Sequence, residues 1–221
     1  MAIPEYLKGF VLLFDTETAV LGDHIVEIGF SLFHNAVLVR EWNTFVKPTV
    51  LIDPEASAVH KITDADVENS PTFKELSSWI YNILNTYGIH VAYNYEYDRG
   101  VLQKEFNRCG MLFPVKPMVD PLILFKKWNK FNRGKKLVDA TSKYGIQYVG
   151  AHRAMNDATA TGKLLFKMAA VRNDFPKALP IYIKNQREWL EEQYIDFAAY
   201  RKLKGQEPIN VPEFSFYEVS L

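Results

Sequence analysis

The sequence of 221 residues has one cysteine, no long apolar run and no excess of charge of either sign. The single cysteine, Cys109, excludes an internal disulfide and is typical of a reducing compartment, so we expect a cytoplasmic protein. No apolar run approaches the roughly 20 residues that a membrane-spanning helix needs. The N-terminus also lacks the basic region of a signal peptide. We therefore expect a soluble chain without a membrane partner.

Lysine plus arginine and aspartate plus glutamate each number 26, so the formal net charge is zero. This balance does not predict a polyanionic partner. It does not exclude nucleic acid either, because carboxylates that bind metal ions leave the loaded protein more positive than the formal count. The hydrophobic fraction of 48% and the charged fraction of 24% are typical of a globular protein.

Hydrophobic periodicity and turn residues predict the element order β-β-β-α-β-α-β-α-α. A buried strand is predicted over 9–17, and the next two strands form a hairpin that turns at His34-Asn35. Asn94 is predicted to cap a helix over 95–109. This order is typical of an α/β fold in which helices flank a mixed sheet.

The chain is expected to have two parts. Residues 1–175 carry the α/β pattern and are predicted to form one domain. Residues 176–221 read as a helix followed by a tail of aromatic and acidic residues. This appendage is too short to fold alone, so we expect it to pack on the domain or on a partner.

Four acids and one histidine occupy unusual positions in this pattern. Asp15 and Glu17 follow a buried strand and project from the same face of it, since side chains on a strand repeat every two residues. Asp98 lies in the first turn of the helix after another short strand. Asp157 lies on a helix face lined by small residues, where an unpaired acid is unfavourable. His152 precedes it by five positions.

Buried charges are paired or coordinate metals, so the four acids predict a metal site. Oxygen ligands without clustered Cys or His favour Mg²⁺ or Mn²⁺ over Zn²⁺. Two such ions about 3.5–4 Å apart stabilise the attacking and leaving oxygens of a phosphodiester displacement. His152 would then be the general base for water. The alternative is that these are ordinary strand-end and helix-capping residues.

Three segments resemble the sequence motifs of the DnaQ-like 3′–5′ exonucleases. "FDTET" is similar to the first motif (FDxET), "VAYNYEYD" to the second (AHNxxFD) and "HRAMNDA" to the third (HxAxxDA). The histidine of the third motif places the chain in the DEDDh subclass, and the resemblance runs through about residue 170. It implies a ribonuclease-H-like fold and a metal-dependent exonuclease activity.

The resemblance also assigns roles to individual residues. It implies that Asp15, Glu17, Asp98 and Asp157 are metal ligands, with Glu17 and His152 the catalytic residues. The substrate-binding residues that it implies are Thr16, Thr18, His60, Asn94 and Tyr97. The chain departs from the family pattern in having "AVLGD" after Thr18, where Thr-Gly-Leu is frequent, and Tyr93 and Tyr97 in place of His and Phe.

Residues 126–136, "KKWNKFNRGKK", carry six basic side chains, two aromatic side chains and no acid. Their simplest interpretation is a solvated loop. Alternatively, Lys126, Lys127 and Arg133 contact the phosphates of a nucleic acid strand. Trp128 or Phe131 would then stack on a base, as in proteins that bind single strands.

Together these patterns predict a 3′–5′ exonuclease that uses two Mg²⁺ or Mn²⁺ ions. It would release nucleoside 5′-monophosphates from single-stranded nucleic acid, with DNA favoured. Two alternatives are a 3′–5′ exoribonuclease and a non-catalytic subunit that binds a polymerase or another replication or repair protein. A homodimer is possible, since dimers occur in the family that the chain resembles.

Overall fold

The computed structural model describes residues 3–130, 134–207 and 209. Within these residues, a 3₁₀ turn at Glu5–Leu7 precedes five strands and eight α-helices. The five strands fall as predicted, but there are three more helices than the sequence predicted. The strands are β1 (Phe10–Val20), β2 (Asp23–His34), β3 (Val37–Phe45), β4 (Ile89–Val91) and β5 (Met118–Val119). The helices are α1 (Pro54–His60), α2 (Asp64–Val67), α3 (Phe73–Thr86), α4 (Tyr95–Arg108), α5 (Pro121–Trp128), α6 (Leu137–Lys143), α7 (Ala154–Val171) and α8 (Leu179–Leu203).

The strands form one mixed sheet in the order β3-β2-β1-β4-β5. β1 pairs antiparallel with β2 and parallel with β4, while β5 continues the parallel side. The long strand β1 therefore lies at the centre, where the antiparallel hairpins meet the parallel strands. The predicted mixed α/β sheet with flanking helices is confirmed.

Alternate side chains of β1 enter hydrophobic cores on the two faces of the sheet. Leu12 and Phe14 pack in a core that includes residues from α3 and α4. Val11 and Leu13 pack in a second core, with residues from α5 and α7. Since β1 is covered on both faces, its continuous apolar sequence has the pattern of a central strand.

The hairpin and the helix starts follow local sequence signals. The turn between β2 and β3 places Asn35 and Ala36 in the left-handed region, with φ of 52° and 63°. The Asp53 side chain accepts a hydrogen bond from Glu55 N and caps α1, and the Asp120 side chain caps α5 in the same way. Such caps satisfy backbone N–H groups that a helix leaves free.

Two sequence predictions need correction. The first strand extends to Val20, because β1 and β2 stay paired up to Val20 and Asp23. Asn94 precedes α4 as predicted, but it has a left-handed backbone (φ 72°, ψ 48°) and its side chain makes no capping hydrogen bond. Asp120 supplies the cap instead, since its two carboxylate oxygens each accept a hydrogen bond of 3.1 Å from Asn94 N or Tyr95 N.

The first half of α8 packs on the parallel side of the sheet. Tyr182, Ile183 and Leu190 are buried there, and the buried Gln186 side chain accepts a hydrogen bond of 2.6 Å from Asp120 N. The predicted tail beyond α8 lies almost entirely outside the described residues, and the domain boundary at 175 stays a prediction. Within the described parts of the chain, no helix has the length and apolar character needed to cross a membrane.

Candidate active site

From its midpoint onward, β1 presents two carboxylates at the carboxyl end of the parallel strands, the edge of an α/β sheet at which ligands usually bind. Asp15 lies opposite Gly29 and Glu17 lies opposite Glu27 on the neighbouring strand β2. Both side chains are half-buried. A register shift between Glu17 and Thr18 then alters the pairing with β2. This register shift separates the part of β1 that carries the two acids from the turn that follows the strand.

Asp98 is fixed against β1 from the first turn of α4. Its Oδ1 atom accepts hydrogen bonds from Thr16 N and from Thr16 Oγ1, both at 2.8 Å. Asp98 and Thr16 are both buried. The structure therefore places Thr16 under Asp98, where it orients the carboxylate, and its predicted contact with substrate remains a prediction.

The N-terminal end of α7 packs directly on β2, and this contact brings Asp157 to the other acids. A Cβ atom at Gly29 would lie 2.1 Å from Met155 N, so the approach requires glycine. Beside it, the buried Glu27 accepts hydrogen bonds from Arg153 Nη2 at 2.7 Å and from Ala154 N at 3.1 Å. These contacts fix the position of the first turn of α7.

Asp157 and His152 lie next to Glu17 at this edge of the sheet. The Tyr148 hydroxyl donates a hydrogen bond of 2.6 Å to Asp157 Oδ1. His152 is exposed and has a positive φ of 61°. One ligand atom from each of Glu17, His152 and Asp157 lies within 4.8 Å of the others. Three residues separated by up to 140 positions in the sequence thus converge on one point.

The carboxylates of the site raise one another's pKa. Burial, followed by repulsion from Asp98 and Asp157, raises the pKa of Asp15 well above its usual range. Burial and then Asp157 raise the pKa of Glu17 to about 8. Burial raises the pKa of Asp98 to about 7, although the hydrogen bonds from Thr16 oppose this shift. Burial also raises the pKa of Asp157.

Arg153, a basic side chain beside this cluster, forms an ion pair with Glu27 and does not neutralise the acids of the cluster. Although burial raises the pKa of Glu27, hydrogen bonds from Arg153 and Asn43 lower it below its usual value. The remaining donors are carboxylate oxygens and one imidazole, a set that fits Mg²⁺ or Mn²⁺. Repelling carboxylates in a partly buried site become favourable when a divalent cation lies between them, so the residues fit the metal that the sequence predicted.

A cavity of about 300 Å³ opens beside Glu17, between the end of β1 and α1. Its lining combines polar and apolar side chains, among them Thr18, Leu21, Val59 and His60. His60 is buried, and its hydrogen bonds are those of a neutral imidazole. Nδ1 accepts a hydrogen bond from Ile62 N at 3.0 Å, which leaves Nε2–H to donate to Thr18 O at 3.3 Å. Thr18 and His60, predicted to contact substrate, both line this cavity.

Tyr97 connects the turn after β1 to α4, and it explains two departures from the family pattern together. Its hydroxyl oxygen accepts a hydrogen bond of 3.0 Å from Gly22 N and lies 3.0 Å from Thr18 Oγ1. Lys104 Nζ donates to Gly22 O at 2.8 Å, and Arg108 pairs with Asp23. A phenylalanine at 97 could make neither hydroxyl contact. The "AVLGD" turn is thereby held on α4, with Leu21 at the rim of the cavity.

Tyr93, the third departure, ties a later segment to the sheet. Its hydroxyl donates a hydrogen bond of 2.6 Å to Lys135 O. Tyr93 follows β4 by two positions, and Asn94 after it is exposed beside the start of α4. The end of the basic segment is therefore held next to the strand edge at which the acids collect.

Two described residues of the basic segment, Lys127 and Trp128, contact other parts of the protein. Lys127 Nζ lies 2.5 Å from Glu192 Oε2 on α8. Trp128 packs against Phe175, with the Arg172 guanidinium 4.4 Å from its ring centroid. Both side chains already have protein partners, and their contact with substrate stays a prediction. Arg133 and Phe131 lie outside the described residues.

Sequence reasoning did not find Tyr148, Glu27 or Asp120. Glu27 and Asp120 had a signal in the sequence, because each is an acid within or directly after a buried strand, as Asp15 is. Tyr148 had none, since its contact with Asp157 depends on how the loop before α7 folds back.

Comparison with known sequences finds one matching family over most of the chain. The sequence model of the RNase_T family, described as Exonuclease, matches residues 12–165. A protein of Staphylococcus haemolyticus named 3′-5′ exonuclease DinG is 30% identical over 145 residues, which are 66% of this chain and 16% of that protein. Its namesake in Staphylococcus aureus strain USA300 is 27% identical over 171 residues, 77% of this chain and 18% of that protein. The chain thus spans less than a fifth of these relatives.

Comparison with solved structures finds the same fold in several exonucleases. Exonuclease X in complex with 5′ overhanging duplex DNA has a TM-score of 0.61 and 23% identity, over 73% of this chain and 92% of that chain. Escherichia coli Exonuclease I with a dA16 oligonucleotide has a TM-score of 0.66 and 16% identity, over 86% and 45%. The nuclease domain of 3′hExo, a DEDDh family member bound to rAMP, has a TM-score of 0.63 and 16% identity, over 76% and 94%. The predicted ribonuclease-H-like fold is confirmed.

Proposed function

The chain belongs to the RNase_T family of exonucleases, and from this premise we propose that it is a 3′–5′ exonuclease that removes nucleoside 5′-monophosphates from single-stranded nucleic acid. One observation carries the proposal. Four carboxylates and a histidine from three distant segments converge at one sheet edge, with ligand atoms of Glu17, His152 and Asp157 within 4.8 Å of one another. A purely structural role would not favour such a cluster of repelling acids.

Asp15, Glu17, Asp98 and Asp157 would hold two Mg²⁺ or Mn²⁺ ions. When bound, such ions activate water and stabilise charge on the oxygens of a phosphodiester displacement. The protein supplies the orientation: Thr16 fixes Asp98 through two hydrogen bonds of 2.8 Å, and Tyr148 fixes Asp157 through one of 2.6 Å. Glu17 faces both the acid cluster and the neighbouring cavity, so it would contact the terminal nucleotide as well.

His152 would act as the general base. It is exposed at the mouth of the site, so a proton that it takes from the attacking water can pass to solvent. Imidazole is the most common side chain in this role near neutral pH. The loop that carries His152 is anchored on both sides of it, by the Asn156 side chain, which donates to Gly150 O at 2.9 Å, and by the Arg153–Glu27 pair.

The cavity beside Glu17 would hold the 3′-terminal nucleotide. Its volume of about 300 Å³, its apolar rim at Leu21 and Val59, and its polar floor at Thr18 and His60 suit a base and its sugar. Tyr97 would contribute indirectly by holding the turn that carries Leu21. Asn94, exposed before α4, and Lys126 would contact the strand outside this cavity.

We favour DNA as substrate. The likeness to solved structures of exonucleases with duplex DNA or a dA16 oligonucleotide supports this choice. An exoribonuclease is the second candidate, and the likeness to a nuclease domain bound to rAMP supports it. The intact acid cluster argues against a non-catalytic subunit. A polymerase or repair-protein partner, a homodimer and a cytoplasmic location remain proposals without structural support of their own.

The test uses 5′-labelled DNA and RNA oligomers of equal sequence, incubated with Mn²⁺, Mg²⁺ or EDTA. We expect a ladder of products shortened from the 3′ end with either metal and none in EDTA, with faster degradation of DNA. Asp157→Asn and His152→Ala should each abolish turnover while retaining the fold. His34→Ala, at the opposite end of β2, is the matched control and should keep full activity. Retention of most activity in both site variants would refute the assignment.

A further inference from the structure

A second cavity, of about 400 Å³, lies between the end of α5, the segment before α6 and the second half of α8. It is lined by Lys126, Lys130, Lys135, Gln193, Asp196 and Phe197, and we call it the lysine pocket. Three of these residues come from α8, which lies outside the stretch that the family match covers. The pocket therefore combines residues inside and outside the family match.

The charge in the lysine pocket is unbalanced. Lys130 Nζ pairs with Asp196 Oδ2 at 2.6 Å, which neutralises one cation and the only acid among the described lining residues. Within the described residues, neither Lys126 nor Lys135 forms an ion pair. The Lys135 ammonium donates instead to Asn129 O. Burial and then the neighbouring lysines 143 and 126 lower the pKa of Lys135, as expected where positive charge is crowded.

An aromatic side chain completes the pocket. Phe197 lies on α8 with 49% of its surface exposed. The Arg201 guanidinium lies 5.9 Å from its ring centroid. An exposed ring next to unpaired lysines is the combination with which proteins bind a base and its phosphate in a single strand, without reading sequence.

One side of the lysine pocket lies close to the start of α4. Lys126 lies near enough to Asp120 and Glu96 to favour their charged forms, and Asp120 holds the start of α4, the helix that carries Asp98. On the other side, the Tyr93 hydroxyl holds Lys135 O at the end of β4. A strand that leaves the active site over the start of α4 would therefore meet Lys126 and Lys135 next.

We propose that the lysine pocket is a nucleotide-binding subsite for the strand upstream of the scissile bond, in which Lys126 and Lys135 bind backbone phosphate and Phe197 stacks on a base. This proposal rests on the proposed exonuclease function and deepens it. It assigns α8 a role in substrate binding. It also separates Lys126 and Lys135 from Lys127, which the pair with Glu192 already occupies.

Two substrates distinguish the subsite from the catalytic centre. The p-nitrophenyl ester of thymidine 5′-monophosphate has one phosphodiester and no upstream nucleotide, whereas a dT12 oligomer reaches the lysine pocket. In the variant Lys126→Gln/Lys135→Gln we expect kcat/KM for the small ester to stay within twofold. KM for dT12 should rise at least tenfold, with a shallower salt dependence, because two phosphate contacts are lost. Phe197→Ala should raise KM for dT12 severalfold.

Lys8→Gln is the matched control, because Lys8 pairs with Glu5 before the start of β1, at the opposite end of the strand from the acids. It should leave the kinetics with both substrates unchanged. An unchanged KM for dT12 in the double variant, or an equal loss with both substrates, would overturn the subsite. Anisotropy of labelled dT12 in EDTA measures the same contacts without turnover. If the wild-type chain hydrolyses neither substrate, the proposed function fails. Weaker dT12 binding by the double variant but not by Lys8→Gln would still support the subsite, and equal binding would overturn it.

Discussion

Gly29→Ala tests whether the packing of α7 on β2 sets the geometry of the active site. The added Cβ atom would lie 2.1 Å from Met155 N and 2.4 Å from the carbonyl carbon of Ala154. Both are backbone atoms, so no side chain can rotate away, and α7 must shift by about 1 Å to reach ordinary contact distance. Asp157 lies on this helix, two positions after Met155. His152 lies in the loop two positions before the helix begins.

The structure allows both consequences of this substitution to be estimated. Overpacking of this kind costs about 1–3 kcal/mol in the free energy of unfolding. A misplacement of catalytic groups by about 1 Å can cost about 10²-fold in rate. We therefore expect kcat to fall about 100-fold. The measurement is made at a temperature at which the variant is still folded, so that the loss of stability does not explain this fall.

Gly162→Ala is the matched control, because Gly162 also lies where α7 packs on β2. A Cβ atom there would lie 2.5 Å from Cε2 of Phe33, the outer edge of a side chain that can adjust. It lies five residues beyond Asp157, away from the mouth of the site. Urea unfolding and steady-state kinetics on the small ester should show lower stability in both variants and lower kcat only in Gly29→Ala. A stable Gly29→Ala variant with full kcat would refute the reasoning.

Further predictions concern the tyrosine that holds the turn and the charge of the acid cluster. Tyr97→Phe removes contacts to Gly22 N and Thr18 Oγ1, so we expect about 1–3 kcal/mol lower stability and a higher KM with little change in kcat, measured by urea unfolding and kinetics. Without metal, the raised pKa values of Asp98 (about 7) and Glu17 (about 8) mean that the folded state holds more protons than the unfolded state. The melting temperature in EDTA should therefore fall as pH rises from 5 to 8, and a rise would contradict the shifts. Asp157→Asn should melt higher than wild type in EDTA at pH 8, because it removes one repelling charge, and lower than wild type with Mn²⁺ present.

Much of the fold follows from local patterns that the sequence displays openly. The apolar run of β1, the turn at Asn35 and the caps at Asp53 and Asp120 act over a few residues, and the succession of five strands derived from such signals is confirmed. The role predicted for the Asn94 side chain was wrong, because this side chain makes no capping hydrogen bond. Asp120, 26 positions away, instead accepts hydrogen bonds from Asn94 N and Tyr95 N at the start of the helix. Capping by a distant side chain has no local signature.

The residues of the candidate site could be predicted because each stands in a short sequence motif, whereas the contacts that support them could not. Asp15, Glu17, Asp98, His152 and Asp157 each stand in a short motif, so a resemblance locates them without a structure. Their supports are single contacts between distant elements, such as the Tyr148 hydroxyl on Asp157 and the Arg153–Glu27 pair. Which partner meets which depends on the packed sheet and helices. Trp128 illustrates this limit, since its ring packs against Phe175 and Arg172 in the structure.

The central claim is that four acids from three distant segments form one divalent-metal site. Mn²⁺ binding followed by electron paramagnetic resonance tests it most directly, because the measurement requires no substrate. We predict two bound Mn²⁺ ions per wild-type chain, with affinity that falls below pH 7 as protons compete for the carboxylates. Asp157→Asn should lose at least one ion, while His34→Ala should keep both. A wild-type chain that binds no Mn²⁺, or an Asp157→Asn variant that binds it as wild type does, would contradict the claim.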